Sequence, residues 1–255
     1  MQLPDSTSGE EGALPPPVKP PKKPPKTNKW HAEATASYRE PFNPLDLENL
    51  GRSMEAELRT REPVPLGAVP PIHGSGIYAL YYCGPNPLYQ EISRPECLSP
   101  IYVGQARPDG VRKGTTAKGP GVKLWDRLYL HRRSIEAVHD LDLADFKVRF
   151  LVSIEAFVSL AERVMINHYR PVWNSVVDGF GNNDPGKSRR ETGARPPWDE
   201  LHPGRWWSHP DNMPTPSKTP ASVSRTRVRA LLEGTLSDGE LEVIEQEIAS
   251  EDDSD

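Results

Sequence analysis

Two cysteines, Cys83 and Cys97, are all that the 255 residues contain. That leaves no disulfide framework and no four-ligand cysteine site for zinc, and it fits two reduced thiols in a cytoplasmic protein. No apolar run reaches the roughly 18 residues of a membrane helix, so no membrane span is expected. The amino terminus lacks the apolar stretch of a secretory signal. Only 35% of residues are hydrophobic and 29 are prolines, so a core of roughly 100–200 residues with irregular ends is expected. Basic residues are missing from Ala230 to Asp255, a stretch with ten acidic ones. The formal net charge of -5 is therefore local: without that stretch, 31 basic residues face 26 acidic, a balance of +5. Residues Ile101–Ile135 carry eight Lys or Arg against Asp109 and Asp126. Such a segment suits a phosphate backbone, although a solvated basic face is the commoner reason for a charge run.

Residues 1–40 form a Pro/Lys-rich arm too poor in apolar side chains to order itself. Residues 41–72 read as a helix and a Pro/Gly connector. Leu47, Leu50, Met54 and Leu58 recur at helical spacing, with Asn43 as the expected N-cap. Ile77–Cys83 and Ile101–Gly104 read as strands, separated by a long loop. Val122–Val138 reads as a helix, Phe146–Ser153 alternates as a third strand, and Ile154–Tyr169 is a second helix stopped by Pro171. The order predicts an α+β fold with a small three-stranded, mainly antiparallel sheet flanked by helices. The core is expected over 73–210, and 211–255 reads as a flexible linker with an acidic tail.

Few residues in this pattern promise chemistry. Arg127 and His131 stand four apart on one helix, hence on one face; they are a phosphate fork and a proton acceptor, or simply part of a solvated basic helix. Glu162 sits mid-helix among Val158, Met165 and Ile166, where a carboxylate needs a partner or a job. It either holds a hard cation together with substrate phosphate or pairs with Arg127 or Arg163. Asn174 follows the second helix and on pattern alone is a turn residue.

Their order is more telling. "GIYALYY" from Gly76, "IYVG" from Ile101, then Arg127, His131, Glu162 and Asn174 resemble the GIY-YIG nuclease superfamily over roughly residues 74–180. "NPLDLENLG", "RLYLHRRSI" and "PVWNSVVDGFGNNDPG" extend the likeness to residues 40–210 and to the type II restriction endonucleases that recognise CCGCGG. That branch also has a His four residues after the Arg and a long insertion between the motif strands, here Cys83–Pro100. The second motif here reads Tyr-Val-Gly rather than Tyr-Ile-Gly.

The resemblance implies a GIY-YIG fold and a catalytic set of Tyr78, Tyr102, Arg127, His131, Glu162 and Asn174, with Glu162 holding Mg²⁺. Tyr78 would orient or deprotonate water, with a nearby cation favouring its phenolate, and Arg127 would bind the scissile phosphate. The implied substrate is double-stranded DNA at a palindromic GC-rich site. The implied partners are a second copy of the chain and, functionally, a DNA cytosine methyltransferase. Arg94, Arg107, Arg112, Lys113, Lys118, Arg189 and Arg190 are candidate DNA contacts. The alternatives are a repair or homing nuclease of the same superfamily, and a DNA-binding protein without catalysis.

Overall fold

The computed structural model describes residues 46–107 and 121–252. The Pro/Lys arm, Asn43, Arg112, Lys113 and Lys118 lie outside the described residues. Helix α1 (Leu47–Thr60) starts at Asp46, whose carboxylate accepts the Glu48 backbone N–H at 2.8 Å. The remaining elements are β1 (Val64–Pro65), β2 (Gly76–Tyr82), β3 (Tyr102–Ala106), α2 (Lys123–Ala137), β4 (Phe146–Val152) and α3 (Glu155–Tyr169). The short helices α4 (Val172–Ser175), α5 (Lys187–Thr192) and α6 (Pro197–Leu201) follow, and then α7 (Ala221–Leu232) and α8 (Asp238–Asp252).

The architecture is α+β. The sheet runs β1-β4-β2-β3, with every neighbouring pair antiparallel. It has four strands, one more than the sequence pattern predicts. The additional strand, β1, is two residues long and ends in proline inside the connector, so it leaves no alternating signature. Its place at the sheet edge is one a proline tolerates.

All seven residues of β2 are buried, because both faces of the sheet are covered. Tyr78, Leu80 and Tyr82 point into one core with Leu124, Leu128, Trp173 and Phe180. Ile77, Ala79 and Tyr81 point into another with Leu58, Val158 and Met165. Period-two alternation thus sends the first motif tyrosine toward α2, while α1 and α3 cover the opposite face. Arg170 ends α3 in the left-handed conformation, φ 44°, immediately before Pro171.

The carboxy-terminal helices differ from the expected linker and tail. Val228 on α7 and Leu241 and Ile244 on α8 are buried in the first core. Two short amphipathic stretches in the sequence, around Val228–Leu232 and Leu241–Ile248, form these helices, and Leu231, Leu232, Leu236 and Ile248 pack against the same core. Among the described residues no helix is long and apolar enough to cross a membrane.

Candidate active site

The site lies where β2, the edge strand β3 and α2 meet. Tyr78 faces Gly104 across the β2–β3 ladder. A Cβ on Gly104 would lie 2.3 Å from the Tyr78 hydroxyl oxygen. The glycine of the second motif is therefore what gives the first tyrosine room to lie across its neighbour strand. Tyr102 is at the start of β3, with its ring centroid 6.3 Å from that of Tyr78.

The Tyr78 hydroxyl is 2.6 Å from Nε2 of His131, and both side chains are buried. Arg127, one turn earlier on α2, lies close enough to both tyrosine oxygens for its charge to oppose the rise of their pKa values. The four-residue helical spacing thus puts the guanidinium and the imidazole on the same pair of phenols. Phe180 stacks on the far face of His131 at 4.6 Å and meets the Tyr102 ring edge-on at 5.0 Å. A Cβ on Gly181 would approach the Tyr102 hydroxyl to 2.9 Å and Arg127 Nη2 to 3.0 Å. The turn after Phe180 thus closes directly over the two groups.

Burial dominates the electrostatics. It raises the pKa of Tyr78 well above its ordinary value; the neighbouring Tyr102 adds to this and Arg127 only partly offsets it. Tyr102 is raised for the same reason, against the pull of Arg127. Both phenols are therefore protonated at neutral pH, and Arg127 alone does not make the phenolate that the sequence reading asked a nearby cation to favour. Burial, then Arg127 and Arg205, hold the His131 pKa well below its ordinary value, so the imidazole is neutral. A neutral His131 Nε2 accepts from the Tyr78 hydroxyl, and this pairing satisfies both buried groups. For Arg127 burial disfavours the charge, but the two tyrosine oxygens outweigh it and its pKa is raised.

Glu162 comes from α3, on the opposite face of the sheet. It reaches the electrostatic neighbourhood of Arg107 and Arg127, and it touches the titration of both tyrosines. Burial lifts its carboxyl to about 7 against those two arginines. Among the described residues no cluster of three His, Cys, Asp or Glu side chains stands ready for an ion. A single raised carboxylate beside the Arg127 guanidinium does fit a hard cation that takes its other ligands from substrate and water. Asn174 acts on backbone: its Oδ1 accepts the Val103 N–H at 2.8 Å and its Nδ2 donates to the Val103 carbonyl at 2.9 Å. It supplies the hydrogen bonds that a further strand would give to the open edge of β3, next to Tyr102.

Of the basic candidates, Arg107 is at the site, with its Nε donating to Gln105. Arg94 is bound to carbonyls of its own turn, those of Gln90 and Ser93. Arg190 is paired with Asp184, and Arg189 is exposed on the same short helix.

Sequence reasoning missed the support of the site. Arg205 is buried and fully used. It forms a two-pronged pair with Asp199, and donates to the Gly179, Phe180 and Asn182 carbonyls at 2.9, 3.4 and 3.1 Å. Its guanidinium lies over Trp198 at 4.7 Å and Trp207 at 4.6 Å. This side chain fixes the turn that carries Phe180 onto His131 and Gly181 onto Arg127. The only signal for it was the tryptophan-rich context "PPWDELHPGRWW", which has no helical or strand period.

No curated protein matches the chain. A family model described as the Eco29kI GIY-YIG domain matches residues 70–230, more than half of the chain and all of the site above. The hairpin tyrosines, the helical arginine and the α+β frame are those of a nuclease domain, and the chain belongs to the Eco29kI GIY-YIG family.

Proposed function

We propose that this nuclease is a type II restriction endonuclease that hydrolyses phosphodiester bonds in double-stranded DNA at a palindromic, GC-rich site, CCGCGG, with Mg²⁺. The observation that carries the reading is the gathering of Tyr78, Tyr102, Arg127 and His131, with the Tyr78 hydroxyl 2.6 Å from His131 Nε2 and the Arg127 charge acting on both phenols. Nothing in packing calls for a half-buried guanidinium beside two buried phenols and a buried imidazole; hydrolysis of a phosphodiester does.

Arg127 binds the scissile phosphate and stabilises the charge that grows on it. Tyr102, at the rim, orients the same phosphate. Water attacks phosphorus as it gives its proton to the Tyr78 oxygen, and Tyr78 passes its own proton to His131 Nε2. The phenol is thus neutral before and after transfer, which suits its raised pKa, and the P–O bond to the leaving strand breaks with the charge on the departing oxygen. Glu162 would hold the metal, which when bound supplies Lewis-acid stabilisation of the phosphate and leaving oxygen. Asn174 keeps Tyr102 in place through the backbone of β3. A palindromic target calls for two copies of the chain, each cutting one strand. A host that carries such an enzyme needs a matching DNA cytosine methyltransferase.

The test is cleavage of unmethylated phage DNA by the full chain with Mg²⁺, beside Glu162→Ala, followed by sequencing of fragment ends. Discrete ends within CCGCGG that disappear with the variant support the whole reading. Ends at another fixed site keep the enzyme and change the specificity. Cutting only at branched or nicked DNA would replace the reading with a repair-type nuclease.

A further inference from the structure

Beside the site runs a cleft of about 320 Å³ between α2 and the turn that Arg205 holds. Leu130, Arg133, Asn182, Asn183 and Trp206 lie along it. Four features set it apart from ordinary surface. Asn182 and Asn183 are exposed, and their side-chain amides bond to nothing among the described residues. Arg133 is exposed and has no ion pair among the described residues. Trp206 is 58% exposed, with the Arg190 guanidinium over its ring at 4.8 Å. The turn bearing the two amides does not drift, because three of its carbonyls accept from a buried guanidinium.

The wall of the cleft adjoins the site along the chain, although none of the six site residues lines it. Gly181, whose Cα lies about 3.8 Å from that of Asn182, touches Tyr102 and Arg127. Side-chain amides have donor and acceptor on one rigid plane, which is what a base edge demands. An unpaired arginine at the wall suits a phosphate. The acidic group in the cleft, Asp184, is matched by both of its oxygens to Arg190, so it does not repel a phosphate backbone.

Resting on the nuclease reading, we infer that this cleft holds duplex DNA next to the cut, with Asn182 and Asn183 reading base edges, Arg133 gripping a phosphate and Trp206 packing against sugar. The surface was not among the basic candidates of the sequence, because its readers are amides and an indole.

The test uses the full chain without divalent metal, a randomised-sequence duplex library and a fixed 30-base-pair duplex. The variants are the double change Asn182→Ala/Asn183→Ala, Arg133→Ala, and Arg229→Ala on α7 as a charge-matched control. The double variant is expected to relax selection at one or two base pairs, with each lost contact weakening binding about 5–100-fold. Arg133→Ala is expected to weaken binding to all sequences alike and to lower the salt slope by about 1, while Arg229→Ala changes neither. Wild-type sequence preference, affinity and salt slope in both cleft variants would overturn the inference while leaving the nuclease reading intact. Sequence-selective binding that depends on the cleft, in a protein that cuts no DNA, would support the inference and sink the nuclease reading. A wild-type chain that binds no duplex overturns both.

Discussion

The Tyr78 hydroxyl lies 2.6 Å from His131 Nε2 in the interior of the protein, within reach of the Arg127 charge. Tyr78→Phe keeps the ring and removes that oxygen. It strands a buried imidazole acceptor, a cost of about 1–3 kcal/mol in stability. Cleavage should fall about 10²–10⁴-fold, the range of a lost proton-transfer group. Single-turnover cleavage, read beside a thermal melt, checks both; a Phe variant that cuts at the wild-type rate removes Tyr78 from the chemistry.

His131 also makes a prediction about acid. Its folded pKa lies well below the ordinary value because burial and two arginines oppose its charge. Below about pH 6.5 the unfolded chain binds a proton that the folded protein refuses. The stability tied to His131 is therefore complete above that pH and is lost as pH falls. Urea unfolding from pH 7.5 down to 5 should show a steeper loss in the wild type than in His131→Gln. Parallel curves would mean that the ring is charged or exposed.

Glu162 carries the opposite sign. Its carboxyl is lifted from 4.5 to about 7 in the folded protein. Between those values the folded state holds a proton that the unfolded state has released. Stability tied to this group is present below about pH 4.5 and declines as pH rises to about 7. In metal-free protein Glu162→Gln should therefore be more stable than wild type by about 1–3 kcal/mol above pH 7, with the gain vanishing toward pH 4.5. The same variant should lose Mg²⁺-dependent cleavage. Equal stability across the range would contradict the raised carboxyl.

Two glycines make a paired test. A Cβ at Gly104 meets the Tyr78 ring in the middle of a ladder, where neither strand can yield. Gly104→Ala should cost about 1–3 kcal/mol by overpacking as well as activity. A Cβ at Gly181 meets only the ends of Tyr102 and Arg127. Gly181→Ala should leave the melt nearly unchanged and still lower the cleavage rate by shifting those two groups. Matching losses of stability in the two variants would show that the turn is as constrained as the sheet.

The motif strands were legible because their signal is local. The seven residues of β2 are rich in aromatic and β-favouring side chains, whereas the pairing of the two motif strands in a hairpin was legible only through the family resemblance. Arg127 and His131 were legible as a pair because helical spacing is a property of four adjacent residues. Glu162 was readable as an oddity among apolar neighbours, though its approach to Arg127 from across the sheet was not. Asn174 gave a turn signal, and nothing in its sequence context tells that both ends of its amide are spent on Val103. The amphipathic stretches that become α7 and α8 were legible, but their docking was not, because a short apolar stripe does not tell which core it joins. Arg205 was least legible, since its partners are carbonyls of a turn more than twenty residues away, and carbonyls have no sequence signature.

That hidden residue sustains the last prediction. Arg205 is 3% exposed and Asp199 4%, and the pair is completed by Ser208 Oγ donating to Asp199 at 2.7 Å. Removing one member of a buried ion pair costs about 3–5 kcal/mol, because the other charge stays behind unpaired. Arg205→Lys keeps the charge and shortens the loss, but an ammonium has no planar fork to hold Asp199 and three carbonyls together. The lysine variant should fold, melt lower, and release the turn that presses Phe180 on His131. His131 would then gain solvent and its pKa would climb back toward its ordinary value. Histidine ring titration by NMR and cleavage rate should move together in this variant. A variant that melts lower with an unmoved His131 titration and wild-type single-turnover cleavage would reduce Arg205 to a stability element.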